Sequence, residues 1–396
     1  FTYKQIFYIF AIMEGPFTYS QPITGQKFIG RDAVSRTLSN LLTQGENILI
    51  SEPPKSGKGS LIRHTLLNMK GHGCTFIPVF VDLMNIRSKE DFAIRLGSET
   101  LKSAYGTPGD YCAAASQFLS GTHFIFDSDA FSRTGEALSL NWEMDEQDIC
   151  AIITLPYRIA ESLGRKIFVI LDEFQNIALT GENYMICRAF ETVFSGLTAQ
   201  MRTYASYILS GSRINAMDQI FRGPSRLGRF TERVKLDEID TRVIIDHVIK
   251  GFNASGKIID RELLLGACKL FRNNIYYINH FCSICDSLTR GYIMEGILKT
   301  ALDTLISIHI PRFTSMMYDL TGFQASFLKA ILEGHSKFSS TDIIEQYKLN
   351  SSANVLRVKE ALCKKEIIFF DETGKPIVID PLFEYWARTE YYGIKI

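Results

Sequence analysis

The chain has 396 residues, enough for two or three domains and a sizeable core. Its 43 Lys and Arg balance 43 Asp and Glu, so no global charge directs it to nucleic acid or to an anionic membrane, and any such contact has to come from a local patch. Eight scattered cysteines without a framework pattern exclude a disulfide-stapled scaffold and read as a reducing, cytoplasmic compartment.

Residues 1–12 are apolar but too short to span a bilayer, and no small-residue cleavage site precedes Met13. Met13 is therefore the expected functional start, with residues 1–12 an extra segment. No other stretch is long and apolar enough to cross a membrane. Residues 14–27 are punctuated by Gly and Pro and read as an extended lead-in. Phe28-Ile29-Gly30-Arg31-Asp32 then opens a helix to about Thr43, with Val34, Leu38, Leu41 and Leu42 on one face.

The β-branched run from Ile48 to Ile50 reads as a buried parallel strand. A tight turn follows, and from Ser60 onward apolar residues recur at helical spacing. A strand–turn–helix with Gly57 and Lys58 in its turn attracts phosphate, because backbone N–H groups and the helix N-terminus converge there. The pattern G-x-x-x-x-G-K-[ST] is met at its centre and missed at both ends. Glu52 replaces the first glycine, and Gly59 replaces the hydroxyl residue that normally holds Mg²⁺. Pro53 and Pro54 lack N–H groups but sit early, so Lys55, Ser56, Gly57, Lys58, Gly59 and Ser60 keep their amide donors. Pro54 to Leu61 is the expected phosphate cradle. Ahead of the strand, Phe28 and Ile29 stand where many nucleotide-binding ATPases lay the adenine; a plain helix N-terminus with Asp32 facing the dipole explains them equally well.

Residues 76–81 form a second strand ending at Asp82, and 89–105 an amphipathic helix. Residues 106–145 read as an irregular surface insertion, and 146–163 as a helix. Ile167 to Leu171 is an apolar strand that ends in Asp172-Glu173. At the carboxyl edge of a parallel sheet these acids would lie beside the phosphate loop, Asp172 holding Mg²⁺ and Glu173 polarising the attacking water. A helix over 184–202 and a strand from Tyr204 follow. That strand finishes in Ser210-Gly211-Ser212, where either serine could bond the water or the γ-phosphate, or the small residues merely let strand and helix meet closely. The loop Phe221–Phe230 carries Arg222, Arg226 and Arg229. Arg226 and Arg229 are the candidates to reach a γ-phosphate, against the plainer reading of a solvated basic loop.

Beyond Thr231 the strand pattern stops, and 241–253, 260–271, 275–288 and 296–309 read as helices of a small lid. Cys282 and Cys285 have C-x-x-C spacing near His280, but without a second pair they read as core cysteines sharing a helix face. The last segment predicts three short helices, 321–333, 340–347 and 354–365, then a hairpin around Glu372-Thr373-Gly374-Lys375-Pro376, which together make a winged helix-turn-helix. Its third helix carries Arg357, Lys359, Lys364 and Lys365, enough for phosphate contacts but thin in base-reading residues; packing on a protein partner is the competing use.

These pieces together resemble the archaeal-type AAA+/STAND ATPases that are also abundant in Bacteroidetes. The likeness runs from Met13 onward and is most specific at Leu171-Asp172-Glu173-Phe174-Gln175 and Asp380-Pro381-Leu382-Phe383-Glu384-Tyr385-Trp386. It implies an ATP-binding core, a helical lid and a winged-helix tail rearranged by nucleotide state. One further departure falls in the lid, where Asn273-Asn274-Ile275-Tyr276-Tyr277 replaces the usual Gly-x-Pro-Tyr turn. The expected fold is α/β: a P-loop parallel sheet with helices on both faces over 13–232, a helical lid over 233–311 and a winged helix over 312–396. The expected function is an ATP- and Mg²⁺-dependent switch with slow turnover. Its rival is a non-hydrolysing nucleotide-binding regulator whose winged helix binds duplex DNA or a protein. A mobile-element or defence-type ATPase is a third reading.

Overall fold

The computed structural model describes residues 15–223 and 227–395, so the expected start at Met13 and the extra segment before it lie outside the described residues. The chain forms two compact units.

One unit comprises Asp32–Pro54 and Leu61–Leu236. Its centre is a five-stranded parallel sheet built from β1 (Ile48–Ser51), β2 (Phe76–Asp82), β3 (Lys166–Asp172), β4 (Ala205–Gly211) and β5 (Glu232–Arg233), in the order β2-β3-β4-β1-β5. Every residue of β4 is buried, as are Ile167 to Leu171 of β3, which is why these strands read as unbroken apolar runs rather than alternating ones. Pro78 is tolerated because β2 is an edge strand. The register aligns Ser51 with Gly211 and Leu171 with Leu209, so β1, β3 and β4 end along one carboxyl edge.

Helices cover the sheet. Glu146–Leu163 starts at an Asp145–Asp148 capping box, buries Ile149, Ile152, Ile153 and Ile159, and stops at left-handed Gly164. Each such side chain, fully buried, contributes ~1.5–3 kcal/mol.

Residues 106–145 are not irregular. They hold helices Pro108–Phe118 and Ser128–Thr134 and a small antiparallel pair, Phe124–Ile125 with Ser139–Leu140. Tyr111, Ala114, Ala115 and Phe118 are buried at helical spacing, and Phe124 and Leu138 join the same core. Two of these four helical positions are alanines, which a search for large apolar residues passes over. The expected helix over 184–202 breaks into Asn183–Gly196 and Ala199–Arg202, the second piece capped by Thr198. Strand β5 extends the sheet beyond Thr231 with two exposed polar residues held by backbone bonds, a pairing with no apolar signature.

The other unit contains Lys55–Ser60 and, among the described residues, 15–31 and 237–395. Helices Thr241–Ala254, Arg261–Leu270, Ile275–Leu288 and Glu295–Tyr318 share a core with Gly322–Leu332, Thr341–Gln346, Ser352–Lys364 and Pro381–Trp386. A parallel pair, Ile258–Ile259 with Tyr292–Ile293, was not expected from the sequence; the hairpin Ile368–Phe370 with Pro376–Val378 was. Glu295–Tyr318 runs unbroken through Pro311, so one helix spans the expected lid-to-tail boundary. Cys282 and Cys285 are buried and unbridged in this core, and burial pushes the Cys285 thiol up to about 12 and that of Cys282 well above its usual value. No helix among the described residues is long and apolar enough to cross a membrane.

Candidate functional site

Strand β1 leads through Glu52, Pro53 and Pro54 into the turn, and the helix Lys58–Gly71 begins at the lysine. The turn needs two left-handed positions, Lys55 at φ 63° and Gly57 at φ 97°. Only glycine suits the second, since a Cβ there would also come within 2.9 Å of Arg31 Nη1. Arg31 pins the turn: its Nη1 donates to the Ser56 carbonyl at 2.6 Å and its Nε to the Asp237 carbonyl at 2.8 Å. Lys58 and Leu61 are buried. Ser60 Oγ accepts the Ile23 N–H at 2.9 Å. Glu52 has a structural partner, its Oε1 accepting the Leu236 N–H at 3.0 Å. At Gly59 nothing blocks a side chain, because a Cβ would meet only Pro22 Cγ at 3.8 Å.

Beside the turn lies a small, largely apolar cleft. Phe28 and Ile29 line it together with Gly57, Ser60, Ile239 and Ile275, so two residues read as base-flanking share a cleft with two read as phosphate-binding. Pro54 is exposed.

At the carboxyl edge of the sheet, Asp172 ends β3 exposed, its Oδ1 accepting the Glu173 N–H at 3.1 Å. Glu173 takes left-handed backbone, φ 55°. Its Oε2 accepts from Ser212 Oγ at 2.6 Å and from Gln175 Nε2, so the carboxylate is held by two donors. Ser212 is thus the serine that reaches Glu173. Ser210 is fully buried in β4, with no bonded partner for its hydroxyl among the described residues. Gln175, buried behind the acid, is a functional candidate that no spacing in the sequence singles out, because it is the turn after β3 that brings its amide onto Glu173. Arg229 is exposed on the short turn Leu227–Phe230, Arg222 pairs with Asp218 at 3.5 Å, and Arg226 lies outside the described residues. On the third tail helix Arg357 and Lys364 are exposed, whereas Lys359 Nζ lies 3.7 Å from the Phe370 ring centroid and Lys365 Nζ donates to the Asp319 carbonyl at 3.0 Å.

The fold has solved counterparts. A Walker-type ATPase of Pyrococcus abyssi superposes with a TM-score of 0.61 at 16% identity, covering 93% of this chain and 99% of that one. The ORC2 protein of Aeropyrum pernix, solved in ADPNP–ADP complexes, superposes with a TM-score of 0.55 at 12% identity, covering 92% and 93%. A family model described as a "probable winged helix domain" matches residues 311–389. No curated protein matches the sequence. The chain therefore has the α/β fold of P-loop ATPases, with a parallel central sheet, a helical lid and a C-terminal winged helix.

Proposed function

We propose that the protein is an AAA+/STAND-like switch that binds ATP, hydrolyses it slowly with Mg²⁺, and passes the nucleotide state to its lid and winged helix. One observation carries this reading. Strand β1 ends in a glycine-held turn that opens a helix at Lys58, and β3 ends in Asp172-Glu173, on the same carboxyl edge of one parallel sheet. The amides from Lys55 to Ser60 and the Lys58 ammonium receive the phosphates, with Pro54 and Leu61 at the ends of that segment, while Phe28 and Ile29 flank the base. Relatives in fold described as a Walker-type ATPase and as ADPNP–ADP complexes support it.

An exposed carboxylate ending a buried strand suits a hard cation, and Asp172 would hold Mg²⁺, which neutralises phosphate charge. Glu173 orients the attacking water: Ser212 and Gln175 fix its Oε2, leaving Oε1 to accept the water's proton. Arg226 and Arg229 are the arginines proposed to meet the terminal phosphate, and Ser210 supports the edge from inside the sheet. Gly59 removes one of about six Mg²⁺ ligands, which waters can replace, so binding persists and turnover is slow. We assign the core to residues 13–232, the lid to 233–311 and the winged helix to 312–396, in a cytoplasmic protein whose eight cysteines are all unbridged.

Two variants test this. Glu173→Gln is expected to lower single-turnover hydrolysis by about 10²–10⁴-fold, the usual worth of a general base, with ATP binding kept. Gly59→Ser restores the missing hydroxyl in available space and is expected to speed turnover. Fast wild-type hydrolysis indifferent to Glu173→Gln overturns the mechanism.

A second reading, a non-hydrolysing regulator acting through the winged helix on duplex DNA or a protein, is favoured by the absent Gly59 hydroxyl. With Lys359 and Lys365 engaged inside the module and Leu356 exposed beside Arg357, the third helix suits a protein partner better than base readout.

A further inference from the structure

Lys55 follows a different path from the other donors of the turn. Its ammonium lies 4.3 Å from the ring centroid of Tyr276 and 5.4 Å from that of Tyr277, at the start of helix Ile275–Leu288. Tyr277 Oη donates to Asp380 Oδ2 at 2.8 Å, and Arg312 pairs with the same carboxylate while donating to Tyr277 Oη at 3.2 Å. His280 and His309 complete the cluster with ring centroids 5.9 Å apart, and Tyr19 stacks on His280 at 4.1 Å. His280 Nδ1 and His309 Nε2 are buried without a partner among the described residues, and the two residues are only 7% and 9% exposed.

The charge count is uneven. Among the described residues two cations, Lys55 and Arg312, face one carboxylate, Asp380, already taken by Arg312. Burial and then Arg312 pull the Lys55 ammonium down to about 8 against the opposing pull of Asp380, and burial and then Lys55 lower both histidines, His309 to about 4. Burial raises the hydroxyls of Tyr276 and Tyr277 above their ordinary value, so neither supplies a counter-charge. The cluster is rich in donors and one anion short.

We propose that Lys55 is the residue that distinguishes a nucleoside triphosphate from a diphosphate: it exchanges its seat on Tyr276 and Tyr277 for the terminal phosphate of a triphosphate held in its own turn. This rests on the nucleotide reading above. The parked site already reaches the tail, because Arg312 lies on the helix Glu295–Tyr318 and Asp380 caps Pro381–Trp386. Withdrawal of one cation from this cluster therefore changes the field at the joint between lid and winged helix.

Calorimetric titration of the full chain at pH 8 with ADP, with a non-hydrolysable ATP analogue and with inorganic phosphate, in two buffers of different ionisation enthalpy, tests it. Wild type is expected to prefer the analogue and to take up protons on binding it, because a phosphate restores the charge of Lys55. Lys55→Gln should cut the preference of analogue over ADP roughly ten- to a hundredfold, the worth of a charge-assisted hydrogen bond. Lys55→Arg should keep the preference but lose the proton uptake. Tyr276→Leu should raise analogue affinity, since the competing seat is gone; a merely structural tyrosine would lower it. Equal binding of ADP and analogue, or a preference untouched by Lys55→Gln, overturns the proposal and leaves nucleotide binding standing. Lys55-dependent binding of phosphate alone overturns it in favour of a free-phosphate site, and failure to bind either nucleotide overturns both readings.

Discussion

Asp380→Ala should destabilise the lid-and-tail unit more than any other single carboxylate removal there. Asp380 Oδ1 accepts the N–H groups of Leu382 and Phe383 at 3.0 and 3.2 Å, capping the helix Pro381–Trp386, while Oδ2 takes the Tyr277 hydroxyl and Arg312. Loss of the cap costs about 1 kcal/mol. Tyr277 is 2% exposed, and stranding its hydroxyl costs about 1–3 kcal/mol. The Arg312 side chain is 44% exposed, so water screens its half of the ion pair and that loss is below about 1 kcal/mol. The sum is roughly 2–5 kcal/mol. Asp380→Asn keeps an oxygen for the cap and should cost about half as much. Urea unfolding followed by Trp386 fluorescence in a Trp142→Phe background reads the effect, because the chain has two tryptophans and Trp386 packs 5.5 Å from Phe313. A loss below about 1 kcal/mol for Asp380→Ala would refute the reasoning.

Three further outcomes are expected. In Gly211→Ala the new Cβ would stand 2.4 Å from Met217 Sδ and 2.6 Å from Gln175 Oε1; overpacking of this kind costs about 1–3 kcal/mol, and the displaced Gln175 should lower turnover while ADP affinity holds. The hydrogen bond to Asp148 raises the His123 imidazole above its ordinary 6.5, so His123 contributes stability below that value that is lost as pH rises through its higher folded value. At Asp148 burial opposes ionisation, but the N–H groups of Asp145 and His123 and the imidazole outweigh it, so its stability is present above pH 3.8 and lost on acidification. Thermal melts between pH 5 and 9 should flatten on the alkaline side in His123→Gln. If the tail binds duplex DNA at all, the affinity should fall steeply with salt and weaken in Arg357→Ala and Lys364→Ala; no affinity at low ionic strength assigns the helix to a protein partner.

Much of the edge chemistry was legible because it sits at the ends of runs that sequence displays. Ile48 to Ile50 and Ile167 to Leu171 are apolar on both faces, and the acids that stop the second run fall where the sheet ends. Which serine joins them was not legible. Ser210 pairs with Ile50 inside the sheet and Ser212 lies just past it, and that difference depends on where β4 stops.

The linear order of residues determined the strand–turn–helix at Lys58, the acids after β3, the alternation that builds a parallel sheet and the three-helix-plus-hairpin tail, since each is a local pattern of period, caps and turns. Only the tertiary structure decided the rest. The helix Pro108–Phe118 declares itself by the core that Tyr111, Ala114, Ala115 and Phe118 pack against, and β5 exists because β1 offers it backbone partners. The ammonium of Lys55 is directed by two tyrosines more than two hundred positions away in the sequence, and an aromatic face exerts its pull only once folding brings it within reach.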